Sequence, residues 1–429
     1  MHNFETAAKD AIRALLGEVT STMLTKSVPL DKLRGIALFD PERDAILTSL
    51  RSFDAARQTV TDIPHFVGRF GAEAATRIVL QFAYQYFQRV DSIQFQEAAF
   101  ETLWCDFTAE IQDSYWVVRG VANVRNFDSE NHLIDLGDGI TIRGRSNTDL
   151  ASLGFGTAVW ERITEDWRGL GASSFILVAE HSFAKQPDNL ILLDSYNVSQ
   201  KTARAIQALR LAETGSISIG PMWTVRPARF NVGLGGLTSI GASIPASGSR
   251  YSWTKNVEQV FFSIYGALEK LEKDGYGRSP GNLQVALRAF MATYDRWPSF
   301  ADSQILDAIT ALEALLGTDT EISFKLSFRV AALLATSDAE RATLLKLMKD
   351  FYDTRSKVVH GAHLKEKHHR LFQRVDELRS IVRQLLRSFV TFAATPHGPY
   401  GKAFWQEQLD VALVDATQRE KLRAALGLI

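Results

Sequence analysis

The sequence predicts an α+β protein: a mixed α/β N-terminal region followed by an all-α helical bundle. Three observations carry that prediction. Apolar residues recur at three-to-four spacing up to about residue 112, strand-like alternation begins at Tyr115, and strand signals vanish after about residue 250. A chain of 429 residues accommodates two or three domains, and we divide it into a helical region 1–114, a mixed region with antiparallel strands 115–250, and an all-helical region 251–429.

The helical opening rests on Ala7-Ala8, Ala11-Ile12, Ala14-Leu15-Leu16 and Val19, and later on Ile78-Val79, Phe82, Tyr86-Phe87 and Val90. Residues 115–124 then read as a strand. His132–Leu136 and Ile140–Arg143 flank Gly137-Asp138-Gly139 and predict a hairpin. Phe175–Glu180 and Ile217–Ile219 are further strands, with a helix over 199–213 between them. Gly, Ser and Ala dominate 233–253, the sharpest composition shift in the chain, and the boundary is placed near 250 for that reason. Helical periodicity continues over 254–273, 282–296, 300–316, 321–335, 338–360, 366–394, 403–414 and 417–427, punctuated by Pro280-Gly281, Gly317, Gly361 and Pro396-His397-Gly398-Pro399.

Composition narrows the function classes. Hydrophobic residues at 46% exclude wholesale disorder, and 48 basic against 49 acidic residues exclude a global basic field. Any polyanion-binding surface must therefore come from local clustering. The single cysteine, Cys105, excludes an intrachain disulfide or a cysteine-based zinc site, and its apolar surroundings predict a buried, inert thiol. The opening residues lack a basic n-region followed by an apolar stretch, and no run approaches the length needed to span a bilayer, so we expect a cytoplasmic protein with no membrane association.

Several motifs resolve to ordinary readings. Gly236–Ser243 has P-loop-like glycine spacing, but Ala242 stands where the phosphate-binding lysine is required, so a loop or linker is expected. Glu161 and Glu165 share a helix face and read as a solvated surface. No Gly-x-Ser-x-Gly elbow supports triad hydrolysis. His363, His368 and His369 lack the ligand spacing of a metal site, so no metal or cofactor is expected.

The informative stretch is Asp350–His363. Arg355 and His360 are separated by four residues, and Gly361 follows as a helix-stopping residue, which puts His360 in the last turn. That position suits a proton-transfer group. On an ideal helix the two side chains lie roughly 140° apart, so a site using both needs a bent terminus or a second helix. From Arg341 to Arg387 the chain carries 12 Lys or Arg against 5 Asp or Glu, a local excess of +7 suited to a phosphate backbone.

Arg355–Gly361, the preceding Phe351-Tyr352-Asp353, and the upstream stretches Ala308–Leu316 and Glu321–Arg329 together resemble the Apea-like branch of the HEPN superfamily over roughly residues 254–394. The resemblance implies a helical bundle that dimerises, brings two Arg/His pairs into one cleft, and cleaves RNA without metal in phage-defence or toxin systems. Carried over residue by residue, Arg355 and His360 are catalytic, and Ser356, Lys357, His363, Lys325 and Arg329 are the supporting or RNA-binding candidates. Many members have Asn directly after the arginine; this chain has Ser356. The expected partners are RNA and a second copy of the chain, with residues 1–250 outside the likeness and read as a sensor for a ligand or phage-derived trigger. The alternative is a non-catalytic scaffold that dimerises and binds RNA or a protein.

Overall fold

The computed structural model describes residues 2–26, 41–144, 175–186, 192–225, 238–240, 248–276, 282–296, 300–317, 321–395 and 402–428. The opening is helical, as its periodicity predicts: α1 (His2–Thr25), α2 (Pro41–Thr48), α3 (Arg51–Thr61), α4 (Phe66–Phe70), α5 (Ala74–Arg89) and α6 (Glu97–Gln112). Ile12, Leu15, Leu16 and Val19 of α1 are buried together with Phe82 of α5 and Phe100, Trp104 and Phe107 of α6 in one core. Cys105, expected to be buried, is exposed. The buried stripe of α6 runs through Leu103, Trp104, Phe107 and Ile111, and Cys105 falls to its outer side.

The mixed region contains β1 (Tyr115–Arg125), β2 (Phe127–Asp128), β3 (Leu133–Gly137), β4 (Ile140–Gly144), β5 (Phe175–Ala184), α7 (Leu192–Ala212), β6 (Ser218–Ile219), β7 (Met222–Val225) and β8 (Thr238–Ile240). Among the described residues the antiparallel sheet runs β3-β4-β5-β1-β7-β8, with β6 also against β1. The expected hairpin is present, Ile134 opposite Ile142, and its Gly137, Asp138 and Gly139 all take positive φ. Strands β7 and β8 were not expected; each is too short to show a period, and β8 lies inside the stretch read as a linker. Residues Glu161 and Glu165, and the ends of the P-loop-like segment around Thr238–Ile240, lie outside the described residues. Helix α7 covers the sheet at Gly120, where a Cβ would come within 2.7 Å of Val198 and Met222.

The core changes hands inside β1. Trp116 belongs to the core of the opening helices, whereas Val118, Ala122 and Val124 belong to the second core. Lys185, just past β5, closes the joint. Its fully buried ammonium donates to the Glu110 carboxylate at 2.8 Å and lies 4.3 Å from the Trp116 ring centroid.

The remaining helices are α8 (Lys255–Lys273), α9 (Leu283–Asp295), α10 (Ala301–Leu316), α11 (Ile322–Leu334), α12 (Asp338–Val359), α13 (Glu366–Phe372), α14 (Val375–Ala393), α15 (Lys402–Val414) and α16 (Ala416–Ala425). The segment 366–394, read as one helix, is two. Its apolar stripe runs through Leu371, Val375, Leu378 and Val382 without a gap, so the sequence carries no mark of the break at Gln373-Arg374. The restraint comes from outside: His368 of α13 is anchored to α12.

Residue 250 is not a packing boundary. One core extends from Val118 through Leu426. Strand β9 (Tyr251–Ser252) pairs in parallel with β2, and the buried Tyr251 hydroxyl donates to the Leu209 carbonyl of α7 at 3.0 Å. Arg210 of α7 donates twice to Asp295 of α9, at 2.8 and 2.5 Å, and Arg383 of α14 donates to the Arg210 carbonyl at 2.9 Å. The helical bundle and the sheet thus fold around the same apolar interior. Among the described residues no helix is long and apolar enough to cross a membrane.

Candidate active site at the end of helix α12

Helix α12 starts on Ser337, whose hydroxyl accepts from the Glu340 backbone N–H at 3.2 Å. Leu347, Met348, Phe351 and Thr354 form its buried stripe. It ends as Gly361 predicts. His360 is the C-cap, Gly361 has φ +61°, the Gly361 N–H donates to the Val358 carbonyl and the Ala362 N–H to that of Lys357. His360 is therefore the last residue before the chain turns away, and its side chain is exposed.

Arg355 sits differently. At 100° per residue it lies about 40° from Phe351, on the inner edge of the helix, while His360 lies about 180° from Phe351. The Arg355 guanidinium donates to Glu313 of α10 at 3.2 Å, with side-chain exposures of 26% and 21%, which leaves a guanidinium edge accessible. Its Nε is buried without a hydrogen-bond partner. Tyr352, one turn back, places its ring 5.9 Å from the guanidinium carbon. Burial, followed by the Glu313 charge, raises the Tyr352 phenol above its ordinary value. Among the described residues no hydrogen bond joins Arg355 to His360, so a single chain does not hold them as a hydrogen-bonded pair.

Beside them lies a second polar cluster. Asp353 accepts from Lys357 at 2.6 Å, Lys367 at 3.0 Å and His368 Nε2 at 3.1 Å. Those hydrogen bonds, Lys357 first, hold its carboxyl well below the usual aspartate range. His368 is fully buried, and its Nδ1 accepts the Lys365 backbone N–H at 2.8 Å, which assigns the proton to Nε2. Asp353 and His368 together fix the turn 361–365, which follows His360, between α12 and α13.

The expected site residues therefore separate into groups. Arg355, Ser356, Lys357, His360 and His363 gather around the end of α12, and His363 is exposed in the turn. Lys325 stands on α11 and forms no ion pair among the described residues. Arg329, expected as a supporting or RNA-binding residue, is 0% exposed. Its guanidinium donates to Asp410 and to the Leu316 carbonyl, each at 2.5 Å, and so binds α15 to the bundle instead of facing solvent. The reason is periodic: Arg329 falls three residues after Leu326 and four before Leu333, on the buried stripe of α11. Arg379 and Arg383 likewise point inward, so part of the basic excess of 341–387 is internal. His363 and His369 stay exposed while His368 turns inward, and among the described residues no three His, Cys, Asp or Glu side chains gather as metal ligands.

Sequence reasoning gave no role to Glu313, Tyr352 or Asp353. Asp353 was accessible from its four-residue spacing to Lys357. Glu313 was not, because its partner stands 42 residues away. Comparison with protein-family models, with curated proteins and with solved structures finds no match to this chain.

Proposed function

We propose that the protein is a metal-independent endoribonuclease of HEPN type that acts as a homodimer through its helical region. The observation that carries this reading is the end of α12: a partly accessible guanidinium held by Glu313, and five residues on an exposed imidazole at a helix C-terminus. RNA places a 2′-hydroxyl beside each phosphate. Cleavage then needs a base for that hydroxyl, a cation for the phosphorane and an acid for the 5′-oxygen. One Arg355 and one His360 do not supply both proton-transfer roles, and they diverge around the helix. Two copies, related by symmetry, provide two imidazoles and two guanidiniums facing one cleft.

In this reading the chain works in the cytoplasm as an anti-phage or toxin effector, and the region before residue 250 restrains it until a ligand or phage-derived trigger arrives. The shared core across residue 250 supports direct mechanical coupling between that region and the bundle. The scaffold alternative draws on the Glu313–Arg355 ion pair, which is also an ordinary bridge between helices.

The deciding experiment is RNA cleavage in the presence of EDTA by wild type, Arg355→Ala and His360→Ala. Expected are chelator-resistant cleavage, a loss of about 10²-fold or more in each variant, and 5′ fragments ending in a 2′,3′-cyclic phosphate. RNA carrying a 2′-deoxy sugar at the scissile nucleotide is expected to resist. A 3′-hydroxyl product formed only with divalent metal would refute the mechanism, full activity in both variants would remove Arg355 and His360 from the reaction, and loss of folding in both variants would favour the scaffold.

A further inference from the structure

Helix α11 presents two phenylalanines outside the core. Phe324 is 50% exposed, and its ring lies 4.3 Å from that of the half-buried Phe328. Lys349 of α12 extends its ammonium over both rings, 5.5 and 5.4 Å from their centroids. Lys325, Lys346 and Lys349 form no ion pair among the described residues. The neighbouring carboxylates are mostly engaged: Asp353 holds Lys357, Lys367 and His368, and Asp350 faces Lys367 at 3.8 Å. An exposed aromatic pair thus carries uncompensated positive charge.

Its direction relative to the candidate site is set by α12. His360 follows Lys349 by eleven positions, about 16 Å of helix and within roughly 20° of the same face. Ser356 lies on that face between them. Because α11 and α12 form an antiparallel pair, Phe324 lies near the start of α11, the end that points along α12 toward His360.

We infer that Phe324 and Phe328, with Lys349 and Lys325, form a stacking platform for an unpaired base of single-stranded RNA, placed so that the strand continues along α12 to His360. This rests on the ribonuclease reading and specifies its substrate as single-stranded. Stacked bases on aromatic rings with cations for the adjoining phosphates are how sequence-tolerant single-strand binding is built. Lysine is depleted at the centres of protein–protein interfaces, whereas here a lysine crowns the aromatic pair. A duplex cannot offer a base face to these rings.

The test measures binding of a fluorescent 2′-deoxy single strand of about ten nucleotides, which a 2′-hydroxyl mechanism leaves intact. Phe324→Ala is expected to weaken binding about tenfold, and Phe324→Trp to retain it. An otherwise identical strand with abasic sugars should bind wild type as weakly as the intact strand binds Phe324→Ala. Lys349→Ala should lower the salt dependence of binding by about one phosphate contact. Unchanged binding by Phe324→Ala, equal loss in the Ala and Trp variants, or equally tight binding of a duplex would overturn the platform. So would conversion of a dimer to a monomer by Phe324→Ala in sedimentation, since the rings would then be a contact between copies. Failure of the nuclease reading shows elsewhere, as undiminished RNA cleavage by His360→Ala.

Discussion

Glu313 holds Arg355 at 3.2 Å from a different helix, and the charge of the same carboxylate helps to raise the Tyr352 phenol above its ordinary value. A long guanidinium at a helix edge has many rotamers; a carboxylate anchored on α10 selects one of them. The ion pair is partly exposed, so its direct contribution to stability is small, and its effect is on where the charge sits.

Glu313→Gln therefore should lower kcat for RNA cleavage about tenfold, equivalent to roughly 1.4 kcal/mol of transition-state stabilisation, with KM and melting temperature nearly unchanged. The loss should be smaller than that of Arg355→Ala. A variant with wild-type kcat would show that Arg355 finds its place without the carboxylate.

Asp353 makes a pH-dependent contribution. Its folded value is depressed, so the stabilisation is fully present above the ordinary aspartate value of 3.8 and is lost as pH falls through the lower folded value. Asp353→Asn should melt below wild type at neutral pH, and the gap should close on acidification below about pH 4. Thermal melts of both proteins across that range check it; a gap independent of pH would mean that the charge on Asp353 does not stabilise the α12–α13 junction.

Arg329 tests burial against surface chemistry. Truncating a buried, paired guanidinium strands the groups it satisfied, here the Leu316 carbonyl and one face of Asp410, and costs about 3–5 kcal/mol. Arg329→Ala should lower the urea midpoint accordingly. Arg329→Lys should rescue little, since an ammonium cannot span both partners with the fork geometry of arginine. A fold as stable as wild type with weakened RNA binding would place Arg329 in the interface instead.

The parts legible in the sequence are those fixed by short-range physics. The turn at Gly361 and the 137–139 hairpin each follow from one or two residues with restricted backbone options, and the helical stripes follow from periodicity. What escaped is set by distant chain. The break between α13 and α14 depends on the contact between His368 and Asp353. Glu313 acquires its role only when α10 packs against α12. A strand as short as β7 exists because β1 is there to receive it, and β8 because β7 is. Arg329 is the intermediate case: its spacing from Leu326 and Leu333 marks the buried stripe, but the resemblance made it a supporting or RNA-binding candidate.

The continuity of the core across residue 250 yields the last prediction. A composition shift marks a domain boundary only when few contacts cross it, and here the crossing contacts are internal. A fragment of residues 251–429 would lose α7, exposing the α8 and α14 surfaces against which Ala205, Ala208 and Leu209 pack, and would leave Asp295 and Arg383 without Arg210 and its carbonyl. It should show no cooperative thermal transition. A fragment of residues 113–429 keeps the whole second core and forfeits mainly the joint around Trp116 and Lys185, where the freed ammonium regains water. It should unfold cooperatively at a lower temperature than the full chain. Calorimetry of the two fragments separates the possibilities: a sharp transition in 251–429 would mean that the bundle is independent of the sheet, and that any control exerted by the first 250 residues does not run through their shared interior.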